Sequence, residues 1–229
     1  MCGRYTLRTP AKRLAEFFDL PLLAELKPRY NIAPTQLVLT VRLGADQQRQ
    51  WATVRWGLLP SWVNDPAELN SVLINARSET VDRKPAFRSA FRQRRCLIPA
   101  DGFFEWQRRG RTKKQPYYIR RKDDQPMAFA GIWERWSQDG VELESCAILT
   151  TDANEVVRPL HDRMPVILPK EAWDVWLSPG CDNPAALREL LRPAPADQLE
   201  AYPVATIVNR SSNDVPACIE PLGRRDTLF

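Results

Sequence analysis

The 229-residue sequence has no stretch near the roughly 20 uninterrupted apolar residues of a membrane helix, and it starts without the apolar run of a signal peptide. The chain is therefore expected to contact no membrane and to work in the cytoplasm, on the nucleoid if its source is bacterial. Cysteine is scarce: Cys2, Cys96, Cys146, Cys181 and Cys218 are odd in number and widely spaced, with no C-x-x-C pair and no Cys/His cluster. This pattern argues against structural zinc and for a reducing compartment, so neither a metal nor a cofactor is expected. Histidine is scarcer still, with His161 the only one. There is no G-x-S-x-G segment to supply a nucleophile elbow and its oxyanion donors. Repeats, low-complexity tracts and domain-length linkers are missing too, and the 20 prolines are scattered. One domain over residues 1–229 is expected.

Acidic residues almost vanish between Arg83 and Lys122, where fourteen Lys and Arg stand against only Asp101 and Glu105. That segment carries +12 of a net +5, so the rest of the chain sums to −7. A face that meets phosphates is polarised in this way, which puts nucleic acid ahead of the alternative, a charged hairpin loop at Arg108-Arg109-Gly110-Arg111-Thr112-Lys113-Lys114. Only seven of the 33 basic residues are lysine, and arginine suits bidentate phosphate contacts.

With 44% hydrophobic residues the chain can bury a real core. Thr9-Pro10 reads as the cap and first position of a helix with Leu14, Phe17 and Phe18 on one side. Strands are expected at Leu37 to Val41, Trp51 to Trp56, Arg95 to Ile98, Phe103 to Trp106, Pro116 to Ile119, Met127 to Trp133 and Leu143 to Thr150. Helices are expected at Asp152 to Val157, at Lys170 to Leu177 and from Asn183-Pro184 into Leu191. Two short strands, Tyr202 to Val204 and Ala205 to Val208, close the chain. The order suggests hairpins and not βαβ units: an α+β domain of mainly antiparallel strands in a barrel-like core with flanking helices.

Position 2 carries the sharpest chemistry. A small residue there permits removal of Met1, which leaves Cys2 as an N-terminal residue with an amine and a thiol on adjacent carbons. Chance alone puts a cysteine at any given position about 2% of the time. An α-amine titrates near 7.7 to 8.0, so a useful minority is neutral and nucleophilic at physiological pH. It can condense with an aldehyde to an imine, and the thiol can then close a five-membered ring.

Several segments are too particular in composition for ordinary loops: Arg29-Tyr30-Asn31-Ile32-Ala33-Pro34, Trp56-Gly57-Leu58-Leu59-Pro60-Ser61-Trp62, Ile74-Asn75-Ala76-Arg77-Ser78-Glu79-Thr80, Ala100-Asp101-Gly102-Phe103-Phe104-Glu105-Trp106 and Leu160-His161-Asp162-Arg163-Met164-Pro165. With Cys2-Gly3-Arg4-Tyr5 and the Val208-Asn209 and Pro216 to Pro221 segments, the set resembles the SRAP family, the SOS-response-associated peptidase-like proteins that crosslink to abasic sites in DNA. The matches run in order from residue 2 to about residue 221.

The resemblance implies capture of the ring-opened sugar aldehyde of an abasic site in single-stranded DNA, as a thiazolidine on Cys2, by a monomer without a cofactor. It assigns Glu105 and His161 to proton transfer and Asn75 to holding the terminal amine. Residue type is compatible with each, beside plainer alternatives: a strand-face glutamate paired with an arginine, a structural histidine and a turn asparagine. Glu105 lies among Phe103, Phe104 and Trp106, where a carboxylate is driven to a raised pKa. His161 is flanked by Asp162 and Arg163, and can open the closed sugar or assist reversal. Asn75 hydrogen-bonds without adding charge. Arg4, Arg77 and Arg163 adjoin these residues and are the expected phosphate ligands. Trp62 is the candidate for stacking on a base, with Pro34 lining the same groove. Val63 stands where members of the family often carry a second aromatic. Two rival classes draw on the same residues: a thiol or self-processing peptidase using Cys2, Glu105 and His161, and a non-covalent single-strand binding module.

Overall fold

A computed structural model describes residues 2–66, 72–109, 113–179 and 184–223. Met1, Cys181, Asn183 and the hairpin tip at residues 110–112 lie outside them, and with them the sequence expectations that fall there. In chain order the elements are β1 (Tyr5–Leu7), α1 (Ala11–Phe18), β2 (Arg29–Ile32), β3 (Leu37–Leu43), β4 (Arg49–Trp56), β5 (Asn75–Arg77), α2 (Pro85–Gln93), β6 (Arg95–Ala100), β7 (Gly102–Arg109), β8 (Lys113–Arg121), β9 (Met127–Gln138), β10 (Val141–Asp152), β11 (Arg163–Pro165), α3 (Trp173–Leu177), α4 (Pro184–Glu189) and β12 (Leu199–Pro203). No helix among the described residues is long and apolar enough to cross a membrane.

Five strands form an antiparallel sheet in the order β12-β8-β7-β1-β2. In the second sheet, pairing runs round a ring of β3, β4, β10, β9 and β6. Two seams in the ring are thin: β3 meets β6 at Val41 and Leu97, and β4 meets β10 in parallel over Arg55 and Trp56. The core is thus barrel-like without being a strictly closed barrel. β5 and β11 extend the ring on β10, β5 in parallel and β11 antiparallel.

The long strands alternate poorly because both faces are covered. β6 is buried at every position, and β9 is buried from Met127 to Ile132. Helix α1 turns Leu14 and Phe18 inward, as expected, but Pro10 is its N-cap and not its first position, and the Thr9 hydroxyl donates to Asp101 instead of capping. The Phe18 ring stacks on Trp173 of α3 at 4.8 Å. Such a pair adds about 1 kcal/mol beyond burial. The Lys170 to Leu177 helix is present as a 3-10 turn over Lys170–Ala172 running into α3.

Two expected elements are different. The Asp152 to Val157 segment is not a helix: Asp152 pairs with Arg163 at the end of β10, and residues 155–160 form turns. Asn154 sets them, its Oδ1 accepting from the amides of Val156 (3.2 Å) and Val157 (3.1 Å). Ala205 to Val208 is not a strand either, because Thr206–Asn209 is a 3-10 turn. The carbonyls of Val208 and Asn209 are taken by side chains of Arg4 and Asn31 and are not offered to a neighbouring strand.

Candidate active site

Residue 2 is not at a frayed end. Cys2 is fully buried and belongs to the main hydrophobic cluster. It leads into β1, which lies antiparallel beside β7 with Tyr5 opposite Phe103, and the amide of Phe104 donates to the carbonyl of Arg4 at 3.0 Å. Carrying this register back two residues sets Gly3 opposite Glu105. From β5, Asn75 Nδ2 donates to the Cys2 carbonyl at 2.9 Å. The other end of that carboxamide, Oδ1, is buried with no hydrogen-bond partner among the described residues. It is a buried acceptor on the same carboxamide that holds residue 2.

Burial pushes the Cys2 thiol well above the ordinary range, and the nearby Glu105 charge adds to the effect. Glu105 is itself 3% exposed. Desolvation drives its carboxyl up to about 7, with Asp162 acting in the same direction. It shares the β7 face with Phe103, which is why a carboxylate lies at the edge of an apolar core.

Glu105 opens onto a groove of about 630 Å³ that also takes in His161 and Asp162, with Arg108, Lys114 and Arg158 around it. His161 is carried by the turns between β10 and β11, and its Nδ1 accepts the backbone N–H of Arg163 at 3.0 Å. Nδ1 is approached from two sides, by the Arg163 amide and by a carboxylate. Asp162 lies 2.7 Å from the same Nδ1, a contact that is attractive once the ring is protonated. Burial nonetheless holds the His161 pKa below its ordinary value, and Arg108 and Arg163 push the same way.

The expected DNA contacts fall into different environments. Arg4 is half-buried, and its guanidinium donates to Asn31 Oδ1 (2.9 Å) and to the carbonyls of Val208 (2.8 Å) and Asn209 (3.2 Å). It also lies over the Trp106 ring. Neither Arg4 nor the exposed Arg77 forms an ion pair among the described residues. Arg163 differs. It is 8% exposed, and its guanidinium bonds Glu79 through both nitrogens (2.5 and 2.9 Å), Asp152 (2.7 Å) and the Thr150 carbonyl (2.6 Å). Its charge is balanced inside the protein.

Trp62 is 62% exposed at the turn after β4, whereas Val63 is buried against Leu59 and Trp136 and accepts from Trp136 Nε1 at 2.6 Å. Position 63 anchors this arm. Pro34 is half-buried, and the next residue, Thr35, donates its amide to the carbonyl of Trp56 at 2.7 Å, so the Pro34 loop and the arm run together. Three residues of the groove, Arg108, Lys114 and Arg158, escape sequence reading. Two of them lie inside the +12 segment, but charge density alone cannot say which of its fourteen cations face a pocket.

The fold thus brings together a buried residue 2, a carboxyl pushed up to about 7 and a groove with basic residues around it. The chain belongs to the SRAP family: residues 1–211 match the family described as SOS response associated peptidase (SRAP). It is 41% identical over 224 residues to the abasic site processing protein YoqW of Bacillus subtilis, covering 96% of this chain and 99% of that one. It is 33% identical over 223 residues to the abasic site processing protein HMCES of Xenopus tropicalis, covering 84% of this chain and 66% of that one. A crystal structure of a protein from Bacteroides thetaiotaomicron superposes with a TM-score of 0.85 at 28% identity, over 96% of this chain and 99% of the other.

Proposed function

We propose that this protein processes abasic sites in DNA by linking itself covalently to the lesion through Cys2 after Met1 is removed. The observation that carries the reading is that residue 2 is built into the core, held by Asn75 and electrostatically coupled to Glu105. Chain ends are ordinarily loose unless something ties them down. The names of YoqW and HMCES as abasic site processing proteins support the substrate.

Removal of Met1 turns the Cys2 nitrogen from an amide into an amine. The amine adds to the C1′ aldehyde of the opened sugar, and the carbinolamine loses water to give an imine. The thiol then adds to the imine carbon as its proton passes to nitrogen, closing a thiazolidine. A carboxyl with a pKa of about 7 serves both directions of proton transfer, giving a proton to the departing water and accepting one from the thiol. The raised thiol explains the order, since the amine is the better nucleophile until the imine exists. The same raised thiol disfavours a thiolate peptidase. Asn75 Oδ1 is the acceptor that orients the new amine, and His161 assists opening of the closed sugar. Arg4 and Arg77 contact phosphates, and Trp62 stacks on a base beside the lesion with Pro34 alongside. Stacking with backbone charge favours a single strand and is indifferent to base sequence. Arg163 acts from behind, by holding His161.

The test is a denaturing gel of purified protein incubated with a single-stranded oligonucleotide carrying one abasic site. Wild type is expected to give a shifted, denaturant-stable band, and Cys2→Ala none. An equally durable band from Cys2→Ala would sink the reading.

A further inference from the structure

A second basic surface lies on α2, and it shares no lining residue with the Glu105 groove. Lys84 precedes the helix, and Arg88 and Arg92 follow four and eight residues on, so three exposed cations stand in a row roughly 6 Å apart along the axis. Like charges at this spacing weaken a helix, and α2 contains no acid to relieve them. The neighbouring acids are engaged elsewhere: Asp82 with Arg188, Glu79 with Arg163, and Glu134 with Arg94. Lys84, Arg88 and Arg92 have no ion pair among the described residues.

Between the two arginines lies a concavity of about 200 Å³, closed by Ser89 and Gln93. Ser89 Oγ accepts from Arg94 Nη2 at 3.0 Å, which leaves its own hydrogen to donate. Two guanidinium groups, a hydroxyl and a carboxamide therefore surround the hollow with no carboxylate among them. A donor-rich set of this kind suits a phosphate oxygen cluster. The hollow is also linked to the lesion site along the chain. Thr80 N–H donates to the Arg77 carbonyl (3.1 Å) and Lys84 N–H to the Thr80 carbonyl (2.9 Å), so two successive turns join Arg77 to the foot of α2.

We propose that the outer face of α2 binds the phosphate backbone of the same DNA strand beyond the lesion, one phosphate seating among Arg88, Ser89, Arg92 and Gln93, with Lys84 bridging towards Arg77. This rests on the reading of the protein as an abasic-site binder. The surface adds length-dependent, sequence-independent affinity on one side of the lesion only.

The experiment uses fluorescence anisotropy with a non-reactive abasic analogue, in a short oligonucleotide and in two others lengthened on the 5′ or the 3′ side alone. For wild type, lengthening on one side is expected to tighten binding about tenfold at low salt and to steepen the log-log salt dependence by about 2, the value for two or three phosphates on a single strand. The Lys84→Ala/Arg88→Ala/Arg92→Ala variant should lose that gain, and Arg88→Lys/Arg92→Lys should keep most of it. The proposal is overturned if wild type gains nothing on either side, or if the triple alanine variant gains as much as wild type. Failure of the crosslinking reading looks different: reactive oligonucleotides give no durable band while the gain with length persists.

Discussion

Glu105 is a carboxyl whose protonation is set by the core around it. Its raised pKa means that the folded state favours the neutral form. Stability therefore falls as pH rises from the usual carboxylate range to about 7, and is level above that. Glu105→Gln removes the penalty. It should be more stable than wild type at pH 8, by on the order of 3 kcal/mol, and within a few tenths of it at pH 4. The same substitution should slow crosslinking by about 10²-fold, and the pH-rate profile should keep the ionisation of the terminal amine while losing the one near 7. An unchanged profile would remove Glu105 from the chemistry. The sequence already hints at this residue, since an acid among three aromatics in a basic segment is out of place. The pairing with Cys2 is not legible, because it depends on β1 and β7 being neighbours across about a hundred residues.

Among the elements, the β10–β11 hairpin carries His161 on turns that Asn154 shapes and Arg163 ties down. Because the Arg163 charge is answered by Glu79 and Asp152, Arg163→Gln should lower stability by roughly 1–3 kcal/mol through lost charged hydrogen bonds. It should leave the salt dependence of DNA binding as it was, whereas loss of a phosphate ligand would flatten the slope. The arm after β4 is built the other way, with Val63 pinned inside and Trp62 outside. Trp62→Ala should weaken single-strand binding by about 1–3 kcal/mol, read by anisotropy, with little change in thermal stability. A loss of stability equal to the loss of binding would return Trp62 to a packing role. Strands such as β9 and β10 are readable as runs of apolar and β-branched residues. β1, β5 and β11 have three residues each, too few for any period to register, and they are strands only because neighbours accept their hydrogen bonds. The failed helix at Asp152 shows the same logic, since pairing with Arg163 overrides local preference.

At the scale of the molecule, charge polarisation is the feature that sequence and structure share most closely. The fourteen cations of the basic segment divide by environment. Arg95 is buried and caps the carbonyls of Phe91, Arg92, Trp176 and Ser178, and Arg120 and Arg121 pair with Glu200 and Asp123. Arg108 and Lys114 line the groove, and the α2 row has no ion pair among the described residues. Composition can count such residues, but only the fold separates those that hold the protein together from those left for a ligand. The same holds for Cys2, whose position in the sequence suggests a reactive terminus and whose burial gives that terminus a fixed environment. The account is tested most directly by digesting the purified protein-DNA adduct with nuclease and protease and locating the modified peptide by mass spectrometry. The prediction is a single sugar-derived adduct on a peptide that begins at Cys2 and lacks Met1. An adduct on a lysine or an internal cysteine, or on a peptide that retains Met1, would contradict it.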